Sequence, residues 1–247
     1  MMEFSASRSA SPDRAIPPRG EPLSDGEVGF LWWFIQGGIM DSEVRAHLHR
    51  GWGLCPRHSF AFLAVNAAFC HHYLHGPAVL YADLMTRARD AFALSGPLHE
   101  TRLQHRLRES GPCHICNQGL GPASAGFASP EHLVIGRNTD NILGFLRETQ
   151  PFWMPALCGR CSGTAAAPRC RPHLVEELAE GTLRDLARQR ALVENITRHL
   201  LNYEQSFRWE FNGTDTLEDR GALVGAVGWC SGWEALLHVI SDQAVTH

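Results

Sequence analysis

The sequence predicts an all-α protein, two helical halves that read as a degenerate internal repeat and are held by zinc knuckles. Three observations predict it. Along the 247 residues no segment sustains the alternation of apolar and polar side chains that marks a half-buried strand. Apolar residues instead recur near the helical period, as at Leu174, Leu178, Leu186, Leu192, Ile196 and Leu200. Helix start and stop signals punctuate the chain between them.

Residues 1–22 are rich in Ser, Pro and Arg, without the apolar run of a signal peptide, and are expected to form a disordered tail. Ser24 with Glu27 has the form of a capping box ahead of the apolar stretch 29–40. That stretch is about half of the ~20 residues a bilayer requires and is broken by Gly37 and Gly38, so it reads as a buried helix. Asp41 is placed to cap a short second helix ending at Arg50, with Gly51 and Gly53 behind it. Pro56 suits the first turn of a third helix, expected to run to His75, because its missing N–H has no partner to lose there. Gly76 and Pro77 then open a fourth.

A polar segment, 96–111, separates a first half, 23–95, from a second, 112–247. The second half is expected to hold helices over 130–136 and 140–149 and one long helix over 172–203. Gly29-Phe30-Leu31 precedes Cys55 and His58 by the same offset that separates Gly144-Phe145-Leu146 from Cys170 and His173, which suggests duplication.

Hydrophobic residues make up 44% of the chain, enough for a substantial core, and net charge is only -4. Neither nucleic acid nor a membrane surface is an expected partner. All 22 basic residues are arginine, which excludes Schiff-base lysine chemistry and the lysine-dependent phosphate loop. A cytoplasmic location keeps the eight cysteines reduced and turns them toward metal or thiol chemistry.

Their spacing carries the functional signal. Four pairs are separated by two residues: Cys55/His58, Cys113/Cys116, Cys158/Cys161 and Cys170/His173. Residues three apart share one face of a helical turn, so each pair can present two ligands to one ion. Six thiols and two imidazoles match two tetrahedral Zn²⁺ sites. An iron–sulfur cluster would rarely use histidine, and a redox dithiol at Cys113/Cys116 would need a strand-to-helix turn. Three pairings are open. The repeat register joins Cys113/Cys116 to Cys170/His173; Cys158/Cys161 then either completes Cys55/His58 or leaves it a relic without metal. Alternatively Cys158, Cys161, Cys170 and His173 close one site locally and Cys113/Cys116 meets Cys55/His58.

The elements GLCPRH, HGPAVLYADLM, CHIC, CRPHL and NYEQSFRWEF, spread over residues 21–235, resemble an uncharacterised bacterial family, common in actinobacteria. Its members are helical proteins with paired Cys-x-x-Cys and Gly-x-Cys-x-x-His elements. The family pattern implies a Cys-Pro-x-Cys where this chain reads Glu21-Pro22-Leu23-Ser24, which makes Cys158/Cys161 the candidate replacement. The resemblance implies no reaction.

Other features have a functional and a plain reading. His71, His72 and His75 could form an open, catalytic metal site or a helix end favoured by the dipole. Trp32, Trp33, Phe34, Trp52, Phe60 and Phe62 could line a pocket or fill the core. Arg102, Arg106 and Arg108 read as a solvated face, and Asn212-Gly213-Thr214 as a turn. The leading expectation is a zinc-binding helical protein, its metal structural, that serves as a binding or adaptor module for a protein or small-molecule partner. A metal-dependent enzyme of specialised metabolism built on the His71/His72/His75 region is the alternative, and a thiol or zinc redox sensor a weaker one.

Overall fold

The computed structural model is described over residues 21–70, 73–164, 168–183 and 185–244. Of the expected tail, residues 1–20 lie outside the described residues, as do His71 and His72. Among the described residues the secondary structure is entirely helical. The helices are α1 (Asp25–Ile35), α2 (Ser42–Arg50), α3 (Pro56–Phe69), α4 (His75–Phe92), α5 (His99–Leu107), α6 (His114–Asn117), α7 (Pro130–Gly136), α8 (Asp140–Trp153), α9 (Gly159–Ser162), α10 (Arg171–Glu180), α11 (Leu186–Gln205), α12 (Leu217–Ser231) and α13 (Glu234–Ala244).

The capping chemistry read in the sequence is in place. Ser24 and Glu27 form the reciprocal capping box of α1, and Asp41 accepts from the N–H groups of Glu43 and Val44 at the start of α2. Three expected boundaries differ, the simplest being α8, which runs on through Pro151 to Trp153 instead of ending at 149. The single helix over 172–203 is two helices, because Gly181 adopts a left-handed φ of 66° that ends α10, and Asp185 accepts from Arg188 N–H to begin α11. The third helix stops at Phe69 rather than His75.

Helix α12 is the centre of the fold. Its run Gly-Ala-Leu-Val-Gly-Ala-Val-Gly-Trp-Cys-Ser is buried all round, as a helix apolar on every face must be. It packs on α11, α8, α4 and α3. Gly228 makes one of these approaches possible, since a Cβ there would lie 2.3–2.6 Å from the Trp233 ring. Helix α11 turns Val193, Ile196, Leu200 and Tyr203 inward, at helical spacing. The segment 96–111, expected as a linker, contains α5, whose Leu103 and Leu107 are buried; the helix packs on α10 and α4. One cluster of buried side chains includes residues on both sides of it, from Leu31 to Leu236.

Of the six aromatic residues weighed as a pocket, Phe34, Trp52 and Phe62 are fully buried in this core. Trp32 packs at a tilt against the rings of Phe69 and His132, and Trp33 is half exposed.

Candidate metal centres

All four cysteine-containing pairs share one local geometry. Cys55, Cys113, Cys158 and Cys170 are the N-cap residues of α3, α6, α9 and α10, and His58, Cys116, Cys161 and His173 occupy the third position of the same helices. An N-cap side chain bends back over the first turn, where the third residue also points, so both ligand atoms converge at the helix end. The positive end of the backbone dipole there favours thiolate over thiol.

The four pairs come together as two clusters. Cys55, His58, Cys113 and Cys116 form one, and Cys158, Cys161, Cys170 and His173 the other, with the ligand atoms of each within 4.8 Å of one another. Cys55 and His58 therefore stand in a four-residue set with CHIC, which does not join Cys170/His173 as the repeat register suggested. The two clusters use the motifs in opposite chain order, Cys-x-x-His first in one and Cys-x-x-Cys first in the other. The distances are those of a tetrahedron. Sulfurs about 2.3 Å and a nitrogen about 2.0–2.1 Å from one ion stand about 3.8 Å apart for a sulfur pair and about 3.5 Å for sulfur and nitrogen. In the first cluster Cys55 Sγ lies 3.8 Å from Cys116 Sγ, and His58 Nδ1 lies 3.2, 3.5 and 3.3 Å from Cys55, Cys113 and Cys116. In the second, Cys161 Sγ lies 3.8 Å from Cys170 Sγ, and His173 Nδ1 lies 3.3, 3.4 and 3.3 Å from Cys158, Cys161 and Cys170. A disulfide would bring sulfurs to about 2.05 Å; these cysteines are free.

The electrostatics of each cluster call for a cation. Hydrogen bonds from Cys116 and Cys55 hold Cys113 far below the ordinary thiol range, and this thiolate forces Cys55 far above it. In the second cluster Cys161 and Cys170 hold Cys158 low in the same way, while Cys161, donating to Cys158, is pushed up to about 12. Three thiols in contact cannot all ionise unless positive charge stands among them.

Around the first cluster the supports are specific. His58 gives its Nδ1 to the cluster, and its Nε2 lies 3.1 Å from Glu27 Oε1. Burial lowers the His58 pKa, but its bonds to Cys113, Cys116 and Glu27 outweigh that and raise it to about 11. Glu27 is completely buried, yet Arg57, His58 and Ser24 hold its carboxyl well below the usual range against the effect of burial. Arg57 reaches Glu27 through Nε at 2.6 Å and Nη2 at 2.8 Å, and donates to the carbonyls of Glu21 and Pro22. The backbone at 21–22, expected as the end of the tail, is thus fastened beside the cluster. A carboxylate on the distal nitrogen of a ligating histidine fixes its tautomer and ring angle. The loop after CHIC lies over the start of α1, with Gly126 so close to Gly26 that a Cβ on it would fall 2.3 Å from the Gly26 Cα.

No family model, curated protein or solved structure matches the chain. The reading of the site therefore stands on its geometry.

The second cluster is built from a tighter turn. Gly159 accepts no side chain, because a Cβ would meet Thr164 O at 2.1 Å. Arg171, next to the ligand Cys170, donates to Cys230 O at 2.9 Å, Leu107 O at 3.0 Å and Glu109 at 2.9 Å, and so ties the start of α10 to α12 and α5. Cys161 faces the Glu234 carboxylate at 3.6 Å.

The eight residues that the sequence singles out are the ones the two clusters bring together, but what holds them in place was missed. Glu27 was legible only as a cap, and Arg57 and Arg171 stood unremarked in the gaps of the two Cys-x-x-His elements. The other two cysteines join neither cluster: Cys230 is a core residue pushed up to about 12 by burial, and Cys70 is half-buried. His75 is exposed beside the Phe207 ring and belongs to neither cluster. Among the described residues no helix is long and apolar enough to cross a membrane.

Proposed function

We propose that the chain binds two Zn²⁺ ions, one in each Cys₃His cluster, and that both are structural. The observation that carries this reading is the agreement of both clusters with tetrahedral edge lengths, each drawing one pair from a helix of the core and one from a four-residue turn. Three thiolates and an imidazole are the donor set zinc favours over the harder divalent cations. Four protein ligands fill a tetrahedral sphere, which leaves a bound ion no open position for substrate and supports a structural role over a catalytic one.

On this scaffold the protein acts as a binding or adaptor module. Its closed metal sites and the exposed aromatic side chains Trp209 and Phe127, 88% and 96% accessible, support that role. Elemental analysis of the purified protein is the test. It should find two zinc equivalents per chain, one after Cys113→Ser and one after Cys170→Ser, and chelation should lower the thermal midpoint. One equivalent lost without any change in stability would instead identify an open, exchangeable site.

A further inference from the structure

A cleft of about 560 Å³ opens between α8, the end of α11 and the segment before α12, and no cluster ligand lines it. That volume lies within the roughly 300–1,000 Å³ of small-ligand sites. Its inner wall is aromatic. Phe207 stands edge-on to Tyr73 at 4.7 Å between ring centroids and 4.9 Å from Tyr203, and Phe145 completes the wall from α8. Tyr203 is 5% exposed and lines the cleft.

The rim is acidic. Asp140 and Glu148 line the cleft from α8 and both are exposed, and Glu148 adds its field to that of Asp215 on Arg220. The one arginine in the lining, Arg220, is neutralised by Asp215, with Nε 2.5 Å from Oδ2. Between the two carboxylates Gly144 leaves the floor open, with nothing within 4 Å of where a Cβ would stand.

Aromatic faces carry negative quadrupole charge, and they attract soft, weakly hydrated cations most strongly when carboxylates add a long-range field. A compact ammonium would keep its water, and an anion would meet three carboxylates, Asp140, Glu148 and Asp215, against the single arginine of the lining. We propose that this cleft binds a small organic cation bearing an alkylated ammonium group. The tyrosine and phenylalanine rings receive the alkyl groups, Asp140 and Glu148 balance the charge, and the Tyr203 hydroxyl offers a polar contact deeper in. This assignment is independent of the zinc reading, since it uses none of the metal ligands.

The test is calorimetric titration of the zinc-loaded, full-length protein with choline and with benzyltrimethylammonium, using 3,3-dimethylbutan-1-ol as the uncharged isostere of choline. At least one cation should bind saturably, and the neutral isostere at least tenfold more weakly than choline. Phe207→Leu keeps apolar bulk but removes the ring, and should weaken binding roughly 3- to 30-fold. Glu148→Gln should weaken it and reduce its dependence on salt. Gly144→Leu fills the floor with a better helix former, so the variant should fold at least as well as the parent and lose binding. The proposal is overturned if neither cation binds, if the isostere binds as well as choline, or if Gly144→Leu or Phe207→Leu leaves the affinity unchanged.

Discussion

Glu27→Gln isolates the contribution of a buried carboxylate to a metal site it does not touch. In the parent, Oε1 receives Arg57 Nε at 2.6 Å and His58 Nε2 at 3.1 Å, and Oε2 receives Arg57 Nη2 at 2.8 Å and Ser24 N at 2.8 Å. Glutamine has the same shape but one acceptor oxygen. Its amide nitrogen must turn toward donors, whichever way it is placed, at a side chain that is fully buried. At least two charge-assisted hydrogen bonds disappear, each worth about 1.5–3 kcal/mol, so folding stability should fall by about 3 kcal/mol or more. The effect on metal is separate. Loss of the group that orients a ligating histidine lowers affinity by about 10- to 100-fold, or roughly 1.4–2.7 kcal/mol. The measurement is a zinc competition titration against a chromophoric chelator in a Cys161→Ser background, where only the first cluster keeps its full ligand set. Circular dichroism on the same samples checks that the fold persists. A Glu27→Gln protein that stays folded and holds zinc within twofold of the Cys161→Ser parent refutes the role assigned to this carboxylate.

Three further outcomes are expected. Gly225→Ala and Gly228→Ala should behave oppositely in urea denaturation of the zinc-loaded protein. A Cβ at 225 makes only ordinary van der Waals contacts, with Ile196 at 3.6 Å and Ala156 at 3.9 Å, and gains up to about 1 kcal/mol of helix propensity, whereas at 228 it collides with Trp233 and should destabilise by about 1–3 kcal/mol or more. Asp219 accepts from His199 at 2.7 Å and from Thr216 and Asn202, and these bonds hold its pKa below the ordinary aspartate range against the opposing effect of burial. A depressed folded pKa adds stability that is present above that range and lost as pH falls through it, so Asp219→Asn should flatten the acid limb of a stability–pH curve relative to the parent. His75→Ala should leave the zinc content unchanged, and loss of an equivalent by elemental analysis would return the histidine region to the metal-binding set.

How much of this was legible depends on whether the determining contacts are local. Ser24 with Glu27 and Asp41 before Ser42 are self-contained turns, and the sequence displays them fully. The break at Gly181 was equally local, with a left-handed glycine followed four residues later by an N-cap aspartate, and the continuing apolar spacing of Leu178 and Leu186 masked it. Ligand identity was also local, because the N-cap and third positions of one turn define each pair. Partner choice was not. Cys55 meets Cys116 across 61 residues of chain, and nothing in the spacing of either pair specifies the other. The repeat register argued for a different pairing, because it assumed that both halves keep their motifs in one order. Glu27 could not be singled out for a related reason: its bond to His58 spans 31 residues and depends on how α1 crosses α3.

The placement of the clusters indicates what bound metals would stabilise. A chain of this size, with α12 enclosed by α4, α8 and α11, can bury enough apolar surface to fold without help. The four-residue helices α6 and α9 cannot, since a single turn never recovers the entropy of its own nucleation. Each meets the core through few side chains, Cys113, His114 and Ile115 in the first case and Cys158 and Cys161 in the second. An ion shared between such a turn and the first turn of α3 or α10 converts a marginal segment into a fixed one, and its binding free energy appears as order in that segment. Chelation should therefore act locally before it acts globally. Amide exchange at 113–120 and at 158–164 should accelerate in the metal-free protein while α11 and α12 remain protected. Uniform acceleration across α12 would mean that the ions hold the core itself.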